Sequence, residues 1–198
     1  WHFGRKGLRG DSMILQSLVQ YYETLEQKGK ISSPGWCTAK VSFALELSGE
    51  GKLKRVIPLK VEKERGKKMV LEPQSMKVPQ MVTRSSGVAS NFLCDNSSYL
   101  LGIDNKGKPE RSKECFQCAK EKHIKILQGV GSRTAKAIIQ YFETWNPETA
   151  QDESVLSEVL EEIMAGANLV FYVDNEYAQL DGSIISAWEA YRADASAG

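Results

Sequence analysis

The side chains best suited to making specific hydrogen bonds are concentrated in residues 84–102 (RSSGVASNFLCDNSSYLLG). Ser and Asn dominate this segment, and an Asn amide carries both a donor and an acceptor. Its apolar residues, among them Phe92 and Leu93, are out of place in a solvated linker. Composition leaves two interpretations open: a structural loop whose turns fix an edge of the core, or a polar loop whose side chains address a ligand.

A basic segment precedes this polar loop. Residues 52–68 contain eight Lys or Arg side chains and two acidic ones. The cluster is either a solvated face that guards an edge strand against aggregation, or a ridge that contacts phosphate groups. Residues 148–176 are the opposite case, with eight acidic side chains and no Lys or Arg, and we expect that surface to repel DNA.

Two short motifs also have alternative interpretations. Cys115 and Cys118 have the spacing of a metal-binding pair, but no second pair completes four ligands, and such cysteines on a helix are typical of a core. The turn from Gly129 to Gly131 resembles the hairpin of helix-hairpin-helix DNA-binding modules, where backbone N–H groups at a helix start bind phosphate. The same residues are typical of any tight turn before a helix capped by Ser132.

Catalytic chemistry has little support in the sequence. The two histidines are His2, near the amino terminus, and His123, on a predicted helix. The sequence contains no Gly-rich phosphate loop, no nucleophile elbow and no pair of acids beside a base. The chain is therefore predicted not to be an enzyme, and to need no cofactor or metal.

The elements that hold these segments are predicted from apolar periodicity. An amphipathic helix is expected at residues 13–28, ended by Gly29. Alternating patterns then predict an antiparallel β-meander, with strands at residues 39–47, 53–61 and 69–73. Beyond the polar loop we expect helices and one buried strand, at residues 110–127, 132–142, 154–164, 168–174 (the strand) and 184–191. This order predicts an α+β fold with a mainly helical second half.

Composition is that of an ordinary soluble domain. The 198 residues are enough to bury a core, and 41% of them are hydrophobic. A net charge of +1 excludes a strongly basic protein, so any contact with a polyanion depends on how charge is distributed. No apolar run approaches the length of a membrane span, and the four cysteines favour reduced thiols, so we expect a cytoplasmic location.

Three segments are expected along the chain. Residues 1–12 (WHFGRKGLRGDS) lack periodicity and precede a methionine, so we interpret them as a leader that is not native. Residues 13–193 are predicted to form one domain, and residues 194–198 a tail.

Two flanking segments and the polar loop together carry a family resemblance. PGWCTAKVSFAL, RSSGVASNFLCDNSSYLLGID and NKGKPERSKECF resemble the amino-terminal part of the large subunit of type I-C CRISPR surveillance complexes (Cascade), the Cas-eight family. The resemblance covers roughly residues 13–188, and its specific part is the block at 85–109. It implies that the chain is a fragment, because large subunits of this family continue into a further helical region.

The resemblance also implies a function and a set of partners. The large subunit of this family recognises the protospacer-adjacent motif on double-stranded target DNA, helps to unwind it, and recruits the helicase–nuclease effector. The expected partners are that DNA, the guide RNA, the other Cascade backbone subunits and the effector, with phage inhibitor proteins as further candidates. Recognition of a short duplex motif, with guide pairing supplying the remaining specificity, is the general logic of RNA-guided effectors.

Residues of the polar loop and of the basic segment are the predicted DNA contacts. Asn91 and Asn96 are expected to contact bases, because an amide matches the donor and acceptor pattern of a base edge. The loop residues expected to approach the phosphate backbone or the minor groove are Ser85, Ser86, Gly87, Ser97 and Ser98, and Arg84 is the charged member of the loop's DNA-contacting set. The cations of the basic segment expected to contact phosphate groups are Arg65, Lys67 and Lys68.

Two other functions stay open on the sequence alone. The chain is then either a stand-alone helix-hairpin-helix module, in which Arg133 and Lys136 assist the Gly129–Gly131 turn, or a purely structural assembly subunit. In the second case the polar loop is buried in a protein interface.

Overall fold

The structure, a computed structural model, describes residues 33–197 as an α+β fold, which confirms the predicted fold class. The leader at residues 1–12 and the helix expected at residues 13–28 lie outside the described residues.

Six short strands lie between residues 36 and 79. Three more follow, one within the polar loop and two near the carboxyl end of the described chain. Their bounds are β1 Trp36–Val41, β2 Phe43–Leu47, β3 Leu53–Pro58, β4 Val61–Arg65, β5 Lys68–Glu72, β6 Gln74–Pro79, β7 Cys94–Asp95, β8 Leu169–Val173 and β9 Glu176–Tyr177.

The central sheet has the strand order β3-β2-β8-β7, and β9 pairs with β8. Strand β8 runs parallel to β2 and antiparallel to β7 and β9. All five residues of β8 (LVFYV) are buried, because the sheet is covered on both faces and a central strand then needs apolar side chains on both. Strands β1 and β6 form a separate antiparallel ribbon, as do β4 and β5.

The first predicted strand is divided at Ser42. The Ser42 N–H donates to the Asn168 carbonyl (3.0 Å), and its own carbonyl accepts from the Leu59 N–H (2.8 Å). The chain therefore changes sheets there, and β1 pairs with β6 while β2 pairs with β3. The second predicted strand likewise ends at Pro58, which has no N–H for a ladder, and the chain resumes as β4 at Val61.

Helices dominate the second half of the described chain. They are α1 Ser97–Leu100, α2 Pro109–Leu127, α3 Arg133–Thr144, α4 Leu160–Met164 and α5 Gly182–Ala197. Two of the predicted helices, α2 and α3, form close to the expected bounds, with Pro109 in the first turn of α2 and the Ser132 hydroxyl capping α3. Of the helix expected at residues 154–164, only the last five residues form an α-helix, α4. The residue before it, Val159, has no side-chain oxygen to cap the helix.

The core has two parts, one on each face of the central sheet. Phe43 and Leu45 of β2 pack with Phe171 of β8 against α2, α3 and α5. The alternate residues of the same strands, such as Ala44 and Val170, pack against the β1–β6 ribbon. No helix within residues 33–197 has the length and apolar character needed to cross a bilayer.

Candidate nucleic-acid interface

The polar loop is folded around one buried carboxylate, that of Asp95. Its Oδ2 accepts from the Asn91 N–H (3.0 Å) and its Oδ1 from the Asn96 N–H (2.8 Å). The Arg84 guanidinium completes the set with a salt bridge to Oδ2. Burial raises the pKa of the Asp95 carboxyl, and the Arg84 ion pair and the backbone hydrogen bonds oppose that rise.

Arg84 closes the loop on itself. Its Nε donates to the Ala89 carbonyl (2.6 Å), and its guanidinium lies over the Tyr99 ring, 3.9 Å from the ring centroid. The Tyr99 hydroxyl in turn accepts from the Ala89 N–H (3.2 Å). Arg84 is thus engaged by protein groups on several sides, and its side chain is 25% exposed.

Helix α2 holds the outer backbone of the loop. Arg111 donates to the Ser86 carbonyl (3.1 Å), and Lys122 donates to the Ser90 carbonyl (2.8 Å). These two cations are about three helical turns apart and therefore face the same side of the helix. The loop is therefore attached to α2 through its backbone carbonyls and to the buried Asp95 through Arg84.

A cleft of about 190 Å³ lies between this loop and the turn before α2. Its basic side chains come from both walls, with Arg84 on one side and Lys106, Lys108 and Arg111 on the other. Lys106, Lys108 and Arg111 form no salt bridge with any residue in the described part of the chain. The cleft therefore carries more positive than negative charge, since Asp104 is the one carboxylate among its lining residues, and this excess suits a phosphate group.

Asp104 joins the polar loop to the turn before α2 and to α2 itself. Its Oδ2 accepts from the hydroxyls of Ser98 (2.7 Å) and Ser112 (2.9 Å), and its Oδ1 from the Lys106 N–H (2.8 Å). Burial acts to raise the pKa of Asp104, but the hydrogen bonds from Ser98, Lys106 and Ser112 outweigh it and lower the pKa overall. A second cleft of about 450 Å³ shares Asp104 and Lys108 on the far side of the turn.

Most of the predicted loop residues meet at the first cleft. Residues lining it from the predicted set are Arg84, Ser85, Gly87, Asn96 and Ser98. Ser86 is exposed beside it and is held through its carbonyl. Direct contact of these residues with DNA stays a prediction.

Two predicted residues lie inside the protein instead. Asn91 is buried, and its Oδ1 accepts from the Val82 N–H (2.8 Å), so its side chain stabilises the loop. Ser97 is fully buried in the first turn of α1. Asn96 has a structural contact and also lines the cleft. Its Oδ1 caps α1 by accepting from the Ser98 N–H (3.0 Å).

The basic segment is located elsewhere. Arg65, Lys67 and Lys68 surround the turn of the exposed β4–β5 hairpin, and none of them lines the cleft. The cations that line the cleft from the other side, Lys106, Lys108 and Arg111, are not among the residues predicted from the sequence. Three basic residues around Gly107 and Pro109, directly after the polar loop, are the pattern that would have indicated them.

The structure places the two shorter motifs on α2 and in the turn between α2 and α3. Cys115 is buried, and within residues 33–197 no three His, Cys, Asp or Glu side chains are grouped to hold a metal ion. Gly129 has a φ of 82° in the turn between α2 and α3, which favours glycine. Arg133, one of the two cations of that motif, forms a salt bridge with Asp174 (2.9 Å).

Comparison with known proteins gives the family. The model of a family described as "CRISPR-associated protein (Cas_Csd1)" matches residues 18–198, nearly the whole chain. None of the curated proteins matches it. The resemblance to the type I-C large subunit is thereby confirmed. The chain therefore belongs to the Cas_Csd1 family of CRISPR-associated proteins.

Proposed function

We propose that this chain recognises the protospacer-adjacent motif on duplex DNA for a type I-C CRISPR surveillance complex, through the cleft between the polar loop and the turn before α2. The proposal is supported by the composition of this cleft, which residues of the polar loop and of the following turn line together. They are Arg84, Asn96, Lys106 and Lys108. An amide among cations is suited to contacting a base edge next to the phosphate backbone.

Within this proposal the loop residues divide by role. Ser85, Ser86 and Gly87 are exposed and approach the phosphate backbone, while Asn96 contacts a base through its amide nitrogen. Asn91 and Arg84 act as positioning residues, since their polar atoms already bind the loop. The hairpin cations Arg65, Lys67 and Lys68 add phosphate contacts, and a two-stranded ribbon has the width to enter a major groove.

We also propose that the chain is not catalytic. His123, the one imidazole in the described part, is fully buried and has both ring nitrogens engaged. Burial lowers its pKa to about 4, so it stays neutral and has no open site for a substrate proton. Burial also raises the pKa of the Cys115 thiol, which disfavours the reactive thiolate. DNA unwinding and nuclease recruitment would then depend on binding and on partner subunits.

The test measures how strongly duplex binding depends on salt. In the complete complex with guide RNA, Lys106→Ala combined with Lys108→Ala should lower the slope of log affinity against log salt by about 0.9 for each phosphate that is no longer neutralised. Lys136→Ala, an exposed cation on α3, is the matched control and should leave the slope unchanged. An unchanged slope for the double variant, with a reduced slope for Lys136→Ala, would favour the helix-hairpin-helix alternative.

A further inference from the structure

The β4–β5 hairpin stands apart from the remaining described structure. Its two strands pair with each other over five residue pairs and with no other strand in the described range. Every residue of β4 after Val61 is exposed, and so are Gly66, Lys67, Lys68, Met69 and Leu71. A two-stranded ribbon alone is marginally stable in water, so such an arm gains stability when something covers it.

The two faces of this hairpin differ in chemistry. Directly opposed residues of an antiparallel pair lie on the same face. The pairs Glu62–Leu71 and Glu64–Met69 therefore form one face, defined here as the acidic–apolar face. The other face, defined here as the basic face, has Arg65 opposite Lys68 and Lys63 opposite Val70. The salt bridge between Arg65 and Glu72 (2.6 Å) lies on this basic face.

The acidic–apolar face exposes two large apolar side chains. Met69 is 60% exposed and Leu71 is 63% exposed, and these are the large hydrophobic residues left open in the described part of the chain. Glu62 and Glu64 stand opposite them and form no salt bridge with a described residue. Apolar and acidic groups are thus presented together, without internal partners.

We propose that the acidic–apolar face docks on a neighbouring protein subunit of the complex, at an apolar pocket bordered by Lys or Arg side chains. Met69 and Leu71 would enter the pocket, and Glu62 and Glu64 would pair with its basic border. The carboxylates disfavour nucleic acid and anionic lipid on this face, because like charges repel both. A second copy of this face is excluded as the partner on the same ground, since it would bring four carboxylates together.

This inference is separate from the DNA-contacting role, because it concerns the opposite face of the arm. With the basic face toward phosphate and the acidic–apolar face toward protein, the hairpin would bridge the target DNA and another subunit. A failure of either role leaves the other measurable.

The experiment measures incorporation of this chain into the complex. The chain is co-expressed with the other subunits and guide RNA, the complex is purified through a tag on a different subunit, and native mass spectrometry gives the fraction that contains this chain. Met69→Ser with Leu71→Ser, and separately Glu62→Lys with Glu64→Lys, should each reduce incorporation by about tenfold. The control on the basic face, Lys63→Ser, should incorporate as the wild type does.

A photo-crosslinking amino acid at position 69 of the otherwise unchanged chain gives a second readout that does not depend on a variant folding. The expected product joins this chain to another protein subunit. Wild-type incorporation of either face variant would overturn the proposal. So would cross-links from position 69 that lead to nucleic acid or to a second copy of this chain.

Discussion

The backbone N–H of Leu93 donates to Nε2 of His123 over 2.9 Å, and this bond fixes the buried centre of the polar loop to α2. Leu93 has a φ of 64°, in a region that a bulky side chain rarely adopts. The opposite ring nitrogen, Nδ1, lies 2.6 Å from the Ala119 carbonyl and therefore carries the proton. His123 is thus held as one neutral tautomer, and it supports a strained loop from inside the core.

Replacement of this imidazole should weaken the fold. His123→Phe keeps an aromatic ring beside Phe92 and Phe142 but leaves the buried Leu93 N–H without an acceptor. We expect a loss of about 2 kcal/mol in the free energy of unfolding. Urea denaturation measures it, with Glu114→Ala, at an exposed position of the same helix, as a control that should change stability by less than about 0.5 kcal/mol. Equal stabilities of the wild type and His123→Phe would contradict this role.

The same histidine predicts a pH dependence. The pKa of His123 falls from 6.5 to about 4 in the folded state, because burial disfavours its charged form. The unfolded chain therefore binds a proton that the folded chain does not, so stability is fully present above pH 6.5 and is lost as the pH falls toward 4. The slope approaches about 1.4 kcal/mol per pH unit within that window. Stability curves of the wild type and His123→Phe at several pH values isolate the contribution, and parallel curves would refute it.

The Arg84–Asp95 ion pair should be as important for the loop as His123 is. Asp95 is 1% exposed, so Arg84→Ala leaves a buried carboxylate without its cation, at a cost of about 3 kcal/mol. Arg84→Lys should rescue little, because a lysine cannot reach Ala89, Asp95 and Tyr99 together. Thermal or urea unfolding measures both variants. If Arg84→Ala were as stable as the wild type and reduced only DNA affinity, Arg84 would be a direct DNA contact.

Periodicity was sufficient to predict α2, α3 and the fold class. The pattern of α2 and α3 is regular, and each begins at a recognisable residue, Pro109 or Ser132. The first strand was predicted correctly as extended, yet its alternation continues through Ser42, where the chain changes sheets. Periodicity records which face of a strand is buried and is insensitive to the choice of partner strand. The parallel pairing of β2 with β8 depends on contacts between distant residues, and local sequence does not encode it.

The sequence indicated where the candidate site lies. It did not indicate which of its polar side chains bind the protein's own backbone and which line the cleft. Ser and Asn were equally consistent with a ligand and with the protein's own backbone, and the structure assigns the Asn91 side-chain oxygen to the backbone of Val82. The cations of the turn at Lys106 and Lys108 became part of the site through the fold, because Asp104 ties that turn to Ser98.

The measurement that tests the central claim most directly is the motif preference of the complete complex carrying Asn96→Ser. A serine supplies a hydroxyl oxygen that can cap α1 in place of the Asn96 Oδ1, and it lacks the amide nitrogen. The complex is bound, at one stated salt concentration, to a library of targets that match the guide and are randomised beside it, and the bound sequences are compared with those of the wild type.

If the cleft recognises the motif, Asn96→Ser should assemble normally and lower the enrichment of preferred motifs by about tenfold, which corresponds to the removal of hydrogen bonding to one base. An unchanged enrichment, with normal assembly, would contradict the claim and show that the loop is a scaffold for the surrounding structure.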